Sequence, residues 1–513
     1  MQFKKIISIA LASVLVSCGG GQDEGEPGGA LRTADPTLFR TLVPAPAAIP
    51  GKTQITLVSD VGDGIGQGKS HVYTQADAQI GVTVSGSRLS VSVRGDEYWS
   101  GDFALPESRR RFNFGGVRDV MRYPLHDAAA GGLQWSGEGR GCEALVGSFR
   151  INSSEFDGDR LLAIDMDFVQ HCDGKPPALH GNIRWFAGDT TQPSGPARVP
   201  TDAWAPAPGA VPATGSFVYL ESDEGDYIGA GGRYLHTLRD SPITVTESGG
   251  LIAVSVTGNH RWTGNFKAMD SLARMRRGLY AHLEGYPGIY NPTRGGIGWS
   301  GEGRGCAPTG WFIVDEVTYV DGQMATLDMR FEQRCNGGPW ALRGRIRWSV
   351  NDGSAPPGPR RIPPLLWSMP ADVPVPAGNY VYMRSHNPTF PGPAKAHMYA
   401  SEMTVFTTTQ NSLVVRVGGW EIVLMPMSSI DRLRQGYYPR LQLFPGNDPS
   451  EGGISVSGNG SGGCSSASWG WFAIDSIRFD AAGNVMAVDA RFWQSCGGYL
   501  TPLWGAVHWT RPS

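Results

Sequence analysis

An internal repeat is the feature that most constrains how this chain can fold. The block WSGEGRGC occurs at 135–142 and again at 299–306, and a weaker version, VSGNGSGGC, ends at Cys464. Each block is followed, about 30 residues later, by Phe-x-Gln-x-Cys, and each copy closes with Gly-x-(Ile/Val)-x-Trp. Ordered blocks that recur at a fixed spacing indicate a repeated structural unit. We therefore predict three copies of one module.

Proline-rich stretches mark the expected boundaries. Proline lacks a backbone donor, so such stretches favour extended spacers over regular elements. Trp204 and the Leu365-Leu366-Trp367 cluster lie within them, which indicates that the spacers pack onto a neighbouring module. The predicted division is a first module at 51–188, a linker at 189–213, a second module at 214–350, a linker at 351–377 and a divergent third module at 378–513.

The hydrophobic pattern within a module has a period of two. Ile80, Val82 and Val84 alternate with polar residues, and after a turn at Gly86 the alternation resumes from Leu89. This period is typical of strands that bury one face, and no stretch has a convincing helical period. We predict an all-β fold of three tandem β-sandwich-like modules, with a closed barrel as the alternative.

The first 17 residues have the pattern of a signal peptide. Lys4 and Lys5 precede an apolar run, Ile6 to Val16, that is too short to span a bilayer. The run Leu15-Val16-Ser17-Cys18 resembles the lipobox of bacterial lipoproteins. That resemblance implies cleavage before Cys18 and a lipid on this cysteine. The alternative is an ordinary signal peptide, 1–17, followed by a chance cysteine.

Location and charge narrow the possible partners. In the lipoprotein family an Asp after the cysteine favours the inner membrane, so Gly19 implies the outer membrane. Residues 18–50 are rich in Gly, Pro and Ala and predict a flexible tether. Lys and Arg number 44 and Asp and Glu 47, a net charge of -3 that offers no electrostatic footprint for nucleic acid. We expect a cell-envelope protein that contacts the membrane only through its N-terminal lipid and binds no nucleic acid.

The cysteines are expected to form one disulfide in each module. There are seven, and lipidation of Cys18 leaves six, which have 15 possible pairings. The repeat selects one pairing, because every copy contains two cysteines, and export supplies an oxidising compartment. A metal site would need clusters of three or four ligands. The predicted pairs are Cys142–Cys172, Cys306–Cys335 and Cys464–Cys496.

One strand of each module carries a glutamine on its hydrophobic face, where Gln170 follows Met166 and Phe168 at alternate positions. A buried amide must be hydrogen-bonded. We therefore expect the glutamines to pair with backbone groups of the glycine-rich loop, with ligand contact as the alternative. The opposite face varies between copies, and we interpret it as solvated. The glutamines are Gln170, Gln333 and Gln494, and the variable position holds Asp167, Arg330 and Arg491.

The loop Gly-Glu-Gly-Arg-Gly-Cys is expected to be a tight turn. Its Glu138 and Arg140 have two possible roles. They would orient a polar ligand, or Arg140 would pair with Asp165 or cap carbonyls of the loop, and we favour the structural role. Glu302 and Arg304 repeat the pair in the second copy, whereas the third has Asn459 and Ser461.

Two further motifs offer ligand-binding groups. Ser-Asp-x-Gly-Asp-x-Ile-Gly presents paired carboxylates, which suit a calcium ion or, more simply, an Asp/Gly turn. A tryptophan that follows a strand in copies one and two would stack on a sugar ring if exposed, with Asp96 beside it as a hydrogen-bonding group, or would belong to the core. The carboxylates are Asp60, Asp63, Asp223 and Asp226, and the tryptophans are Trp99 and Trp262.

The chain has no recognisable catalytic motif: it lacks Gly-x-Ser-x-Gly, His-Glu-x-x-His and a phosphate loop. The pattern G-x-G-R-G-C … F-x-Q-x-C resembles modules of secreted and surface proteins of proteobacteria. The resemblance implies an envelope location and disulfides, and implies nothing about chemistry. We expect a binding or adhesion protein, for a glycan or another extracellular polymer or for an envelope protein. The alternatives are a structural or assembly lipoprotein without a small ligand, and a hydrolase of polysaccharides, for which paired carboxylates would suffice.

Overall fold

The computed structural model describes residues 51–354, 356, 358–385, 396–400, 402–408, 411–458, 468–495 and 502–512. Over these ranges the chain forms three ten-stranded sheets and no helix, so no helix there is long and apolar enough to cross a membrane. The prediction of an all-β fold with three tandem modules is confirmed.

Module 1 contains strands β1 to β10, several of which are long. They are β1 (Gln54–Ser59), β2 (Ser70–Thr74), β3 (Gln79–Ser85), β4 (Arg88–Arg94), β5 (Tyr98–Ala104), β6 (Gly115–Arg122), β7 (Gly132–Gly137), β8 (Leu145–Asp157), β9 (Arg160–Cys172) and β10 (Ala178–Phe186).

Modules 2 and 3 repeat this order. Module 2 has β11 (Phe217–Ser222), β12 (Arg233–Thr237), β13 (Ile243–Ser248), β14 (Leu251–Thr257), β15 (Arg261–Ala268), β16 (Gly278–Gly285), β17 (Gly295–Gly301), β18 (Pro308–Val320), β19 (Gln323–Cys335) and β20 (Ala341–Ser349). Module 3 has β21 (Tyr380–Ser385), β22 (His397–Tyr399), β23 (Met403–Thr407), β24 (Leu413–Val417), β25 (Trp420–Met425), β26 (Gly436–Leu443), β27 (Gly453–Gly458), β28 (Trp469–Phe479), β29 (Val485–Ser495) and β30 (Leu503–Thr510).

The ten strands of a module form one continuous sheet that folds over its own core. The strand order in module 1 is β2-β1-β10-β9-β8-β6-β7-β5-β4-β3, and modules 2 and 3 have the same order. Strand β5 is separated from β9 by three strands in this order, yet the ring centroids of Phe103 on β5 and Phe168 on β9 are 5.4 Å apart. The two halves of the sheet therefore face each other across a core, as in a sandwich.

Alternation along the strands places the hydrophobic residues in that core. Val82 and Val91 are opposite each other in the β3–β4 hairpin, and both are buried. On β9, Ile164, Met166 and Phe168 are at most 1 % exposed. The strand pattern predicted for the β3–β4 hairpin is correct because these two strands bury mainly one face, which imposes a period of two on their sequences.

The proline-rich linkers are bound to the module that follows them. Arg330 forms two hydrogen bonds with the carboxylate of Asp315, at 2.7 and 2.8 Å, and its Nη1 donates to the carbonyl oxygens of Ala203 and Trp204 at 3.1 and 2.6 Å. Module 3 repeats this clamp: Arg491 pairs with Asp475 and donates to the carbonyls of Leu366 and Trp367.

The clamp corrects one interpretation of the sequence. Arg330 and Arg491 lie on the strand face that varies between copies, which we interpreted as solvated. The structure shows that these two side chains instead bind the preceding linker, whereas module 1 has Asp167 at this position, bonded to Asn152 at 2.8 Å.

Candidate functional site

Two of the three predicted disulfides lie within the described residues. Cys142 is bonded to Cys172 and Cys306 to Cys335, each pair joining the glycine-rich loop to the end of the Phe-x-Gln-x-Cys strand. Cys464, Cys496 and the predicted lipidation site Cys18 lie outside the described residues.

The buried glutamines of modules 1 and 2 support the glycine-rich loop, as we expected. Gln170 is completely buried; its Oε1 accepts from the backbone N–H of Trp135 at 2.7 Å and its Nε2 donates to the carbonyl of the same residue at 2.9 Å. Gln333 makes the same two bonds with Trp299, at 2.7 and 2.9 Å. Each amide thus satisfies both backbone groups of the tryptophan that begins the WSGEGRGC block.

Glu138 and Arg140 have structural partners. Glu138 Oε1 accepts from the backbone N–H of Tyr98 at 2.8 Å, and Arg140 Nε donates to the carbonyl of Ile65 at 2.7 Å. Glu302 and Arg304 make the same contacts with Arg261 and Ile228, at 2.7 and 2.8 Å. The possible partner Asp165 pairs with Arg184 instead, at 3.0 Å. These bonds support the favoured structural role over the orientation of a ligand.

The paired carboxylates hold turns and do not converge on a cation. Asp63 is buried and accepts from Ser59 Oγ at 2.8 Å and from the N–H of Gly66 at 2.7 Å, and Asp226 repeats both contacts with Ser222 and Gly229. Asp60 and Asp223 accept from the N–H groups of Ala178 and Ala341. Over the described ranges no group of three or more His, Cys, Asp or Glu side chains is placed to hold a metal ion. The geometry favours the Asp/Gly turn over calcium.

The two tryptophans predicted as sugar-binding residues lie in the core. Trp99 is 2 % exposed and Trp262 is 1 % exposed, and Trp99 Nε1 donates to the hydroxyl of Tyr73 at 2.7 Å. A sugar ring can stack only on an exposed indole face, so this prediction is wrong for both residues. The signal was present in the sequence, since Trp99, Gly101 and Phe103 alternate with Ser100 and Asp102 and so belong to the inward face of β5.

Asp96 has a different partner from the predicted one. Its carboxylate accepts from Asn291 Nδ2 at 2.8 Å and pairs with Arg294 at 2.7 Å, so it connects module 1 to module 2. Asn291 Nδ2 also lies 3.2 Å from the carbonyl of Asp77, and Thr293 Oγ1 donates to that carbonyl at 3.0 Å. A turn of module 2 is therefore docked onto two turns of module 1.

The same docking occurs between modules 2 and 3. Ser450 Oγ donates to the carbonyl of Asp240 at 2.7 Å. Asp240 occupies the position of Asp77: each ends a Thr-x-x-Asp turn, at 74–77 and 237–240, in which the Thr N–H binds the Asp carboxylate. Thr293 and Ser450 also correspond, since each donates its N–H at 2.9 Å to an Asx side chain two residues earlier. Sequence reasoning missed these junctions, although Thr-x-x-Asp and Asx-Pro-(Thr/Ser) are both repeated.

The outer faces of modules 1 and 3, which meet no other module in the chain, differ from the junctions in these residues. Module 1 has the same turn, in which the N–H of Ala129 donates to Asp127 at 2.9 Å, but Ala129 has no hydroxyl. In module 3, β22 ends at Tyr399 and β23 begins at Met403, and the intervening sequence Ala-Ser-Glu does not contain the Thr-x-x-Asp motif. Over the described residues, the hydroxyl donor and the Thr-x-x-Asp turn thus meet at the faces that join modules 1 and 2 and modules 2 and 3.

A groove of about 760 Å³ lies beside the first junction, and Asp96, Glu138 and Glu284 are among its lining residues. Burial, together with the nearby carboxylates of Asp96 and Glu138, raises the pKa of Glu284 above its usual value. Asp96 and Glu138 are already bound to Arg294 and to the backbone of Tyr98. Two of the three carboxylates that line the groove therefore also bind groups of the protein itself.

Comparisons with protein-family models, with curated proteins and with solved structures find no match to this chain. The junctions and the clamped linkers are the features that distinguish the assembly of these modules from three independent domains.

Proposed function

We propose that this chain is a lipid-anchored cell-envelope protein whose three modules form one fixed array for binding or adhesion. The observation that carries the proposal is the repeated junction, in which Thr293 and Ser450 donate to the carbonyls of Asp77 and Asp240. The lipobox resemblance at Leu15 to Cys18 supports the anchor and, with Gly19, an outer-membrane location.

A fixed array suits a binding role for a physical reason. Surfaces held in a constant relation to one another bind an extended partner with a smaller loss of conformational entropy than surfaces on free linkers. Here the linkers are clamped by Arg330 and Arg491, and the modules contact each other directly. Both features remove the independent motion that proline-rich spacers would otherwise permit.

The two outer faces of the array differ in sequence from the faces that form the junctions. Repeat proteins commonly end in atypical modules whose outer faces do not accept another copy. Module 1 lacks the hydroxyl donor, and module 3 lacks the Thr-x-x-Asp motif. These differences favour a discrete display protein over a filament.

A structural or assembly role is the second candidate. The burial of Trp99 and Trp262 favours it, because the sugar-binding surface predicted from sequence is absent at these positions. This role requires the same anchor and the same fixed array, but no ligand of the modules themselves.

The array can be tested with mature protein, residues 18–513 carrying Cys18→Ser. Small-angle scattering of this protein should fit a single conformation over 51–512. The double variant Thr293→Val with Ser450→Ala, which removes both hydroxyl donors, should require a broader distribution of shapes. Thr293→Ser is the matched control, since it keeps the donor. Equal distributions for the double variant and the control would contradict a fixed array held by these contacts.

The anchor is tested separately in cells. Labelled palmitate should be incorporated into the wild-type chain and not into Cys18→Ser, and the substituted protein should leave the membrane fraction. Membrane association of Cys18→Ser equal to that of the wild type would contradict lipid anchoring.

A further inference from the structure

Module 2 exposes two aromatic side chains in neighbouring turns at one end of its sheet. Trp340 is 53 % exposed and Tyr227 is 57 % exposed. The corresponding residues of module 1, which lie 163 positions earlier, are Pro177 and Gly64. Module 2 therefore has an aromatic surface that module 1 lacks.

Trp340 is held in place by its neighbours on both sides. Arg334 donates to the carbonyl of Pro339, and the N–H of Ala341 donates to Asp223 Oδ2 at 2.9 Å. The indole also lies against Gly225, where an added Cβ would be 2.5 Å from its ring atoms. One face of the indole thus rests on the turn while the side chain stays half exposed.

Module 1 builds the same loop without a tryptophan. The N–H of Ala178 donates to Asp60 Oδ2 at 3.0 Å, His171 Nδ1 lies 2.8 Å from the carbonyl of Pro176, and Pro177 packs against Gly62. The loop is thus compatible with a proline at this position, and its hydrogen bonds do not depend on a tryptophan side chain. The half-exposed indole is therefore free to contribute an apolar surface to binding.

Two arginines lie close to this surface, and both are paired with carboxylates. Arg343 contacts Asp223 at 2.7 Å and Glu332 at 2.8 Å, and Glu332 also pairs with Arg334 at 3.0 Å. The turn that carries Tyr227 also holds the exposed Glu224, so carboxylates outnumber arginines here, which disfavours an anionic polymer. Their planar polar groups suit a partner with many hydroxyls, while the indole suits an apolar face. A pyranose ring has both properties.

We propose that Trp340 and Tyr227 form the binding surface of module 2 for a neutral polysaccharide. This inference rests on the proposed binding role of the chain and names the class of its ligand, but it does not depend on the module junctions. It assigns recognition to an aromatic surface on the turns, in place of Trp99 and Trp262 in the core.

The test uses the mature chain, residues 18–513 with Cys18→Ser, and four probes: insoluble cellulose, insoluble chitin, cellohexaose and chitohexaose. We expect at least one probe to bind, with an affinity that falls about tenfold or more in Trp340→Ala and less in Trp340→Phe. Phe114→Ala is the matched control, because Phe114 is a 72 % exposed aromatic residue of module 1 and its removal should change nothing.

A gain-of-function variant makes the test independent of loss of folding. Pro177→Trp with Gly64→Tyr transfers both aromatics to module 1, where a Cβ at Gly64 meets no atom within 4 Å. This variant should bind about twice as many equivalents of the hexasaccharide.

Failure of all four probes to bind, or binding that Trp340→Ala leaves unchanged, would overturn the proposal. Binding of a proline-rich peptide that Trp340→Ala abolishes, without sugar binding, would overturn the polysaccharide assignment. The scattering test of the array involves no ligand, so its outcome is separate.

Discussion

Arg140 Nε donates a hydrogen bond to the carbonyl oxygen of Ile65 at 2.7 Å, and this bond joins two motifs that are 75 residues apart in the chain. Arg304 does the same with Ile228 at 2.8 Å. The guanidinium carbon of Arg140 also lies 5.6 Å from the ring centroid of Trp99. The WSGEGRGC loop is therefore tied to the Ser-Asp-x-Gly-Asp-x-Ile-Gly turn over a buried indole.

Substitution of Arg140 by Ala should lower the free energy of unfolding of module 1. The loss of a charge-assisted hydrogen bond and of contact with the indole predicts a change of about 1–3 kcal/mol. Urea denaturation of the mature chain, followed by module-specific hydrogen exchange, measures it. Arg118→Ala, at an exposed position of β6, is the control, and an equal effect of both substitutions would count against a specific role for Arg140.

Gln170→Leu should lower the free energy of unfolding of module 1 by more than Arg140→Ala does. The variant leaves the N–H and carbonyl of Trp135 without the partners that Gln170 supplies, in a completely buried site. We expect about 2–4 kcal/mol of destabilisation and faster exchange of the Trp135 amide. Gln134→Leu, on the outer face of β7, should have little effect. Unchanged protection of the Trp135 amide in Gln170→Leu would show that the glutamine is dispensable.

Arg330→Ala should release the first linker. The substitution removes the bonds to Asp315, Ala203 and Trp204, and Arg330→Lys should be intermediate because a lysine cannot form the bidentate pair. Limited proteolysis with mass spectrometry should show faster cleavage within 189–213. The second linker, 351–377, is an internal control, since Arg491 still clamps it. Equal protection of 189–213 in wild type and variant would refute the clamp.

Two aspartates at the ends of modules 1 and 2 should make stability depend on pH. Burial opposes ionisation of Asp189, but hydrogen bonds from Thr191, Thr53 and Lys52 outweigh it and lower its pKa to about 2. Burial likewise opposes ionisation of Asp352, and bonds from Ser354 and Ser216 lower its pKa to about 2. A pKa below the unfolded value near 3.8 means that the stabilisation is complete above that value and is lost as the pH falls towards 2.

Each aspartate should contribute roughly 2 kcal/mol at neutral pH. Asp189→Asn should therefore be less stable than wild type at pH 7 and should lose less stability on acidification. Denaturation curves at several values between about pH 7 and pH 2 measure both effects. Asp159→Asn, at a fully exposed side chain, is the control. This linkage would be excluded if the free energy of unfolding depended on pH in the same way in the wild type and in Asp189→Asn.

Within the candidate site, local sequence pattern predicted the residues whose partners are set by their own strand or loop. The repeat defined three modules, and alternation placed Gln170 on a buried face, which required a backbone partner for its amide. The same reasoning applied to β5 would have placed Trp99 in the core, because Gly101 and Phe103 share its face. The error came from treating an aromatic near a turn as surface, although the period-two pattern continued through it.

The sequence by itself determined the all-β class, the number of modules and the pairing of cysteines in modules 1 and 2. These features could be predicted because the alternation of buried residues and the repeated motifs are both visible within short segments of the sequence. Only the tertiary structure decided that Thr293 meets the carbonyl of Asp77, that Arg330 holds a linker, and that Trp340 is exposed. The first two contacts join groups 216 and 126–127 residues apart. Such contacts depend on how folded surfaces are oriented in space, and hydrophobic periodicity carries no information about that orientation.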